Sequence, residues 1–308
     1  MAIPVLLVSG FLGAGKTTLI NHLLTQPHGR RLAAVVNDFG AINIDAELLS
    51  ARADGVVALQ NGCICCSLQG DLLRTLGLLL RQDPVPEGII IETSGVSDPA
   101  EIVRSLMDPV IWREAALDAV LCLADARALA DRPALLQDPL CQSQLRAADI
   151  IVLNKVDEVS AEELAALRPR LDAARPGCTI LEAVQGAVPP ELFFTGDPWR
   201  GSIPAAPSRF STPRFETMSW TSDAPLSLPR FQAAVSRLAP RLVRAKGILQ
   251  FAGREGQPML FQMVGQRATF SPAPPPSPDA APVRLVLIAE NGRLRPEATT
   301  ALLESCRA

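Results

Sequence analysis

IPVLLVSGFLGAGKTTLI, residues Ile3 to Ile20, decides the fold. Five of its first seven residues, Ile3, Val5, Leu6, Leu7 and Val8, are branched and apolar, the composition of a strand buried on both faces. They run straight into GFLGAGKTT, Gly10 to Thr18, and from there into a stretch with helical spacing. Glycine, four residues, then Gly-Lys-Thr, set between a strand and a helix, is the pattern of a phosphate-binding loop. In that pattern the backbone N–H groups of Gly13, Ala14, Gly15, Lys16 and Thr17 face phosphates at a helix N-terminus. Lys16, expected to be exposed on the loop, neutralises the β and γ oxygens, and the Thr17 hydroxyl ligates Mg²⁺. Gly10 and Thr18 bound the motif and are counted with it. The bland alternative is a glycine turn with no ligand.

Outward from this loop, β-rich apolar runs alternate with helical patterns. The runs are RLAAVVN, GVVAL, GIIIET, LDAVLCLAD, DIIVLN and TILEA, and helices are expected over Lys16–Leu24, Ser67–Arg81, Pro99–Met107, Pro133–Ala147 and Ala161–Ala174. Alternation of this kind predicts an α/β, doubly wound, mostly parallel sheet with its ligand at the carboxyl ends of the strands. From Thr195 to Thr212 the composition turns to Gly, Pro and Ser, the mark of a linker. Beyond it GILQFAG, MLFQMV and RLVLIAE read as strands and ALLESC as a helix, interrupted by the Pro-rich loop SPAPPPSPDAAP. The expected organisation is therefore a nucleotide-binding domain over 1–195, a linker over 196–212 and a smaller α+β domain over 213–308.

Three further motifs follow strands of the first domain. NKVD, Asn154 to Asp157, comes after IIVL. There the Asp157 carboxylate is expected to accept from guanine N1–H and the 2-amino group, with Asn154 supporting the ring's far edge and the Lys155 stem over the base. Adenine, having neither donor, would strand a desolvated carboxylate, which costs affinity. ETSG, Glu92 to Gly95, ends the run GIII and brings an acid toward the Mg²⁺ shell and a glycine N–H toward the γ-phosphate. NDFGAINID supplies Asp38 and Asp45, either of which can hold Mg²⁺ through water or orient the attacking water; ordinary capping aspartates are the alternative.

Cys63, Cys65 and Cys66 crowd into NGCICCS, between GVVAL and the helix expected from Ser67. Residues two apart face one way on an extended chain, and the turn into the helix can swing the third sulfur inward. A helix N-terminus also favours the thiolate. Three such ligands suit Zn²⁺, Co²⁺ or Cu(I) and leave a coordination position for exchange; three small buried hydrophobes is the plainer reading. Cys122, Cys141, Cys178 and Cys306 are scattered and read as core or incidental residues, and His22 as a helix-surface residue.

The chain has 308 residues, is 48% apolar and carries a formal charge of −3. It can bury a core of its own, and it shows no basic run for nucleic acid. No apolar stretch approaches the roughly 20 residues that span a bilayer. Seven cysteines, an odd number with three nearly adjacent, do not form a disulfide framework and point to a reducing cytoplasm. Only Lys16, Lys155 and Lys246 are lysines among 29 basic residues, and two of them fall inside nucleotide motifs.

GFLGAGKTT, GCICCS, ETSG and NKVD, in this order, resemble the CobW-like metal-homeostasis GTPases, relatives of the urease and hydrogenase nickel-insertion GTPases. RAKGILQFAG and RLVLIAE resemble that family's C-terminal domain. The resemblance implies that Gly13 to Thr18 bind phosphate, Asn154 and Asp157 bind guanine, and Cys63, Cys65 and Cys66 bind a transferred metal. Relatives often carry a His-rich stretch, absent here, and Glu where Asp38 and Ala41 stand. The expected activity is GTP hydrolysis to GDP and phosphate by Lys16, Thr17 and Glu92, coupled to delivery of Zn²⁺ or Co²⁺ to a client metalloenzyme, with a nucleotide-dependent homodimer possible. Two rivals are a GTP-dependent switch that senses metal or redox state without transfer, and a phosphoryl-transfer enzyme.

Overall fold

The computed structural model describes residues 2–25, 30–36, 56–58, 68–193, 215–254, 256–273 and 281–308. Two compact units divide at Phe194 and Thr195. The linker expected over 196–212 lies outside the described residues.

The first unit runs β1 (Ile3–Gly10), α1 (Lys16–Thr25), β2 (Leu32–Val36), β3 (Val56–Ala58), α2 (Leu68–Leu79), β4 (Gly88–Glu92), α3 (Pro99–Leu106), α4 (Pro109–Trp112), β5 (Ala115–Asp125), α5 (Ala126–Asp131), α6 (Pro139–Ala147), β6 (Ile150–Asn154), α7 (Ala161–Ala174) and β7 (Thr179–Ala183). The strands form one sheet in the order β3-β2-β4-β1-β5-β6-β7. Every pairing in it is parallel. β1 is central, and Val5, Leu6, Leu7 and Val8 are all buried because helices cover both faces. On one face Val5, Leu7, Val35, Ile89 and Ile91 pack with Leu72, Leu76 and Leu106 from the helices. Farther along, Cys122, Ile151 and Leu153 pack with Leu145, Leu167 and Leu171. Each such side chain contributes roughly 1.5–3 kcal/mol through burial.

The second unit runs β8 (Phe215–Ser222), α8 (Leu228–Leu238), β9 (Leu242–Leu249), β10 (Met259–Val264), β11 (Arg267–Pro272), β12 (Val283–Glu290) and α9 (Pro296–Glu304). Its five strands are in the order β11-β10-β9-β12-β8. All are antiparallel. Phe231, Ala234 and Leu238 of α8, spaced to share one helix face, pack on Trp220, Phe261, Leu285 and Leu287 of the sheet.

Three expectations are corrected. The single helix over Pro133–Ala147 is a 3-10 turn, Pro133–Gln137, followed by α6. Pro139 disfavours helical dihedrals at Asp138, which is extended (φ −63°, ψ 129°) and caps α6 through Leu140 N and Cys141 N. The strand read from GILQFAG instead begins at Leu242 and stops at Leu249, because Arg244 and Lys246 belong to it although charge hid them from the pattern. FETMSWTS and RATFSP were not read as strands and are β8 and β11, each at a sheet edge, where polar residues face water.

Candidate nucleotide site

The site is built at the carboxyl ends of β1, β4, β5, β6 and β7. β1 ends at Gly10, and the loop from Phe11 turns at once into α1, whose first residue is Lys16. The first amides of a helix have no carbonyl a turn earlier to bond, and no acidic side chain occupies the first turn of α1. An anion is the complement of that arrangement. Gly15 holds φ +99°, and a β-carbon there would collide with the Asn154 side chain. Only glycine lets the loop lie that close to β6.

Lys16 is not exposed on the loop, as expected, but buried in α1 at 7% exposure. Its stem is covered by the loop it serves, and its ammonium donates to Phe11 O at 3.4 Å. Thr17 and Thr18 are the next two residues of α1, Thr17 half-buried and Thr18 exposed.

Glu92 ends β4 at 4% exposure, in register with Val8 of β1 and Val36 of β2. A hydroxyl at the start of α1 and a carboxylate at the adjoining strand end form an all-oxygen donor set, which fits Mg²⁺. Beyond Glu92 the chain stays bound to β1 through Thr93 N and Val8 O, 2.9 Å. The loop is then held from α6: Gln144 Nε2 donates to Gly95 O and Ser97 O, both at 3.3 Å, and Ser143 Oγ donates to Asp98 Oδ1 at 2.7 Å.

Asn154, 1% exposed, uses both ends of its amide internally. Nδ2 donates to Ala14 O and Oδ1 accepts from Gly186 N, each at 2.9 Å. It therefore pins the phosphate loop, β6 and the turn after β7 together. Gly186 (φ +66°) packs so close to α1 that a β-carbon would stand 2.7 Å from Leu19 Cα. Lys155 adopts a left-handed conformation (φ 60°, ψ 37°), and its ammonium lies 2.6 Å from Asp125 Oδ2. Its head is turned to a carboxylate on β5, which the tetrapeptide alone does not reveal. Asp157 is exposed in the 3-10 turn Val156–Glu158.

Asp38, Asp45, Cys63, Cys65 and Cys66 lie outside the described residues. Among the described residues, no group of three His, Cys, Asp or Glu side chains is placed to hold a metal ion. Cys122, inside β5, is buried and its thiol is pushed up to about 12, mainly by desolvation; burial likewise raises Cys178 to about 11. His22 is half-buried rather than fully on the surface, and burial lowers its pKa against a hydrogen bond with the Val188 backbone. Sequence reasoning missed Asp125, Gln144 and the turn at Gly186. A carboxylate ending an apolar strand (LAD) and a glycine just past the last strand (EAVQG) were the available signals.

A parallel sheet carrying a phosphate loop after β1, an acid after β4 and NKVD after β6 defines a P-loop nucleotide-binding domain. The profile of the CobW/HypB/UreG nucleotide-binding domain matches residues 4–182, and that of the cobalamin synthesis protein CobW C-terminal domain matches residues 215–307. The chain belongs to the CobW/HypB/UreG family. It is 33% identical to the zinc chaperone YjiA of Escherichia coli over 85% of this chain and 86% of that one. With the zinc chaperone CobW of Pseudomonas aeruginosa it shares 36% identity over 61% of this chain and 58% of the relative. The corresponding match to CobW of a Sinorhizobium species spans 60% of that protein's length. Among solved structures, zinc-bound YjiA from E. coli aligns over 100% of both chains at 24% identity and a TM-score of 0.41. Among the described residues no helix is long and apolar enough to cross a membrane.

Proposed function

We propose that this protein is a GTP-hydrolysing metallochaperone that carries a transition metal ion, zinc or cobalt, on Cys63, Cys65 and Cys66 and hands it to a client metalloenzyme. The observation that carries the nucleotide half is the Asn154 pin, which joins the phosphate loop and the NKVD strand into one preformed cradle. Within it the amides of Gly13 to Thr18 receive phosphate oxygens, and Lys16 offsets their charge. Asp157 selects guanine. Glu92 and the Thr17 hydroxyl would hold Mg²⁺, and the ion would supply neutralisation of the charge that develops on the phosphate oxygens. Glu92 and the Gly95 amide flank the γ-phosphate position. Hydrolysis then rests on positioning and charge neutralisation.

The metal half is supported by the names of the relatives and by topology. Glu92, Val36 and Ala58 stand level on β4, β2 and β3, so the chain enters the segments bearing Asp38 and the three cysteines from strand ends beside the Mg²⁺ ligand. A γ-phosphate that orders one segment can therefore bias the other.

Two measurements test the reading. GTP should bind several kcal/mol more tightly than ATP, and Asp157→Asn should shift preference to xanthine nucleotides, whose added carbonyl pairs with the amide. Zn²⁺ or Co²⁺ affinity, titrated against a chelator, should differ between Mg²⁺–GDP and a non-hydrolysable GTP analogue by roughly 5- to 150-fold, with the reciprocal effect on nucleotide affinity. Equal metal affinity in the two states makes the cysteines a passive site and refutes coupled delivery.

A further inference from the structure

The guanine-reading turn is fastened on both sides by residues that belong to no nucleotide motif. On its N-terminal side, Lys155 is left-handed, a conformation that costs a non-glycine residue energy unless the surroundings impose it. In that conformation its side chain reaches Asp125, the last residue of β5, whose Oδ2 takes the ammonium at 2.6 Å. The pair is 30% and 15% exposed and bridges strand ends in direct register, Asp125 opposite Asn154. Asp125 uses its other oxygen to cap α5 through Ala128 N, 2.9 Å.

On the C-terminal side, Arg127 in the first turn of α5 donates to Glu158 O at 3.3 Å. It also grips both Glu163 oxygens, at 3.2 and 3.0 Å, and pairs with Asp131. Glu163 in turn accepts from Ser160 N at 2.8 Å in the capping box of α7. Arg127 holds the Glu163 carboxyl below the usual range, so this grip persists at neutral pH. Between the two fastenings the exposed Asp157 side chain makes no hydrogen bond or ion pair among the described residues.

We propose that Asp125 and Arg127 are positioning residues for guanine: they hold the backbone on both sides of Asp157 so that its carboxylate meets the base without first being ordered. The inference rests on the guanine-binding reading above. Its physical content is preorganisation, since a turn fixed beforehand loses less entropy on binding. The polar partners of Asp125 and Arg127 among the described residues belong to the NKVD turn, α5 and α7 and not to the phosphate loop, so the clamp acts on the base and not on the phosphates.

The test uses the full chain and two probes, GDP and inorganic pyrophosphate, which lacks the base. Asp125→Asn keeps an oxygen to cap α5 but presents an amide to the Lys155 ammonium. GDP affinity should fall about 10-fold, as for loss of a charge-assisted hydrogen bond, while pyrophosphate affinity holds. In hydrolysis the loss should fall on KM rather than kcat. Arg127→Gln should act in the same direction and serves as the second arm should Asp125→Asn fold poorly. Adding Asp125→Asn to Lys155→Met should cost nothing further, because Asp125 acts through Lys155. Undiminished GDP affinity in both single variants, or equal losses for GDP and pyrophosphate, overturns the proposal. A wild type that binds ATP as tightly as GTP overturns the guanine reading itself, a result distinct from either.

Discussion

The two sheets of this chain use their strands in opposite ways. In the first unit the strands are parallel and buried on both faces, and the chemical groups of the candidate site come from strand ends, the loops after them and the start of α1. In the second unit the strands are antiparallel, and the core combines aliphatic side chains with aromatic edge contacts: Phe231 meets Phe261 at 5.2 Å and Phe251 at 6.0 Å between ring centroids. A parallel sheet must return each strand through a crossover, so its loops converge at one edge and can be specialised without disturbing the core. An antiparallel sheet closes through short connections, as between β10 and β11, and its strength lies in cross-strand packing. The contrast teaches that damage to the second unit should register as stability, and damage at strand ends of the first as affinity or rate.

The largest expected effect is on Phe231→Ala, which should cost about 3–5 kcal/mol of second-unit stability in denaturant unfolding. GDP affinity should hold; a parallel collapse of nucleotide binding would break the contrast. Next is Lys16→Ala, expected to lower GTP turnover by roughly 10²- to 10³-fold or more, as for loss of one preorganised donor at developing charge. Because Lys16 is buried in α1, the variant needs a melting curve beside the assay, and near-normal turnover in a folded protein removes the residue from the proposed chemistry.

Asn154→Ala comes third. It leaves Ala14 O and Gly186 N without their partner, a loss of about 1–3 kcal/mol. Both GDP and pyrophosphate should bind less well, since the pin serves the phosphate loop as well as the base turn. A loss confined to GDP would return Asn154 to the role of a base contact.

The smallest effect concerns thiols. Cys122 and Cys178, pushed up to about 12 and 11, stay protonated at pH 7.5, and burial also raises Cys141 and Cys306. Alkylation of the metal-free native protein should therefore stop at Cys63, Cys65 and Cys66, and zinc should protect these. Mass spectrometry of the alkylated protein reads the sites directly. Rapid modification of Cys122 at neutral pH would show that β5 opens more readily than its burial implies.

Much of this was legible beforehand because glycine-rich phosphate loops and buried parallel strands carry strong local signals. The strand from Ile3, the turn at Gly15 and the helix from Lys16 follow from composition and φ alone. β8 and β11 were not legible, because edge strands need be apolar on only one face, and Arg244 concealed the start of β9. Local sequence likewise marked Asn154, Lys155 and Asp157 as a set but not the division of labour among them. That Asn154 faces inward to Ala14 and Gly186, that Lys155 turns to Asp125, and that Lys16 is covered were decided only when strands far apart in sequence came into register. Hydrogen bonds between residues 30 or 140 positions apart leave no local pattern. The sequence by itself determined where the phosphate-loop and NKVD motifs fall in this chain, since those motifs are set by backbone dihedrals and residue type. The tertiary structure alone decided which of these side chains hold one another in place, because the partners lie far apart in sequence.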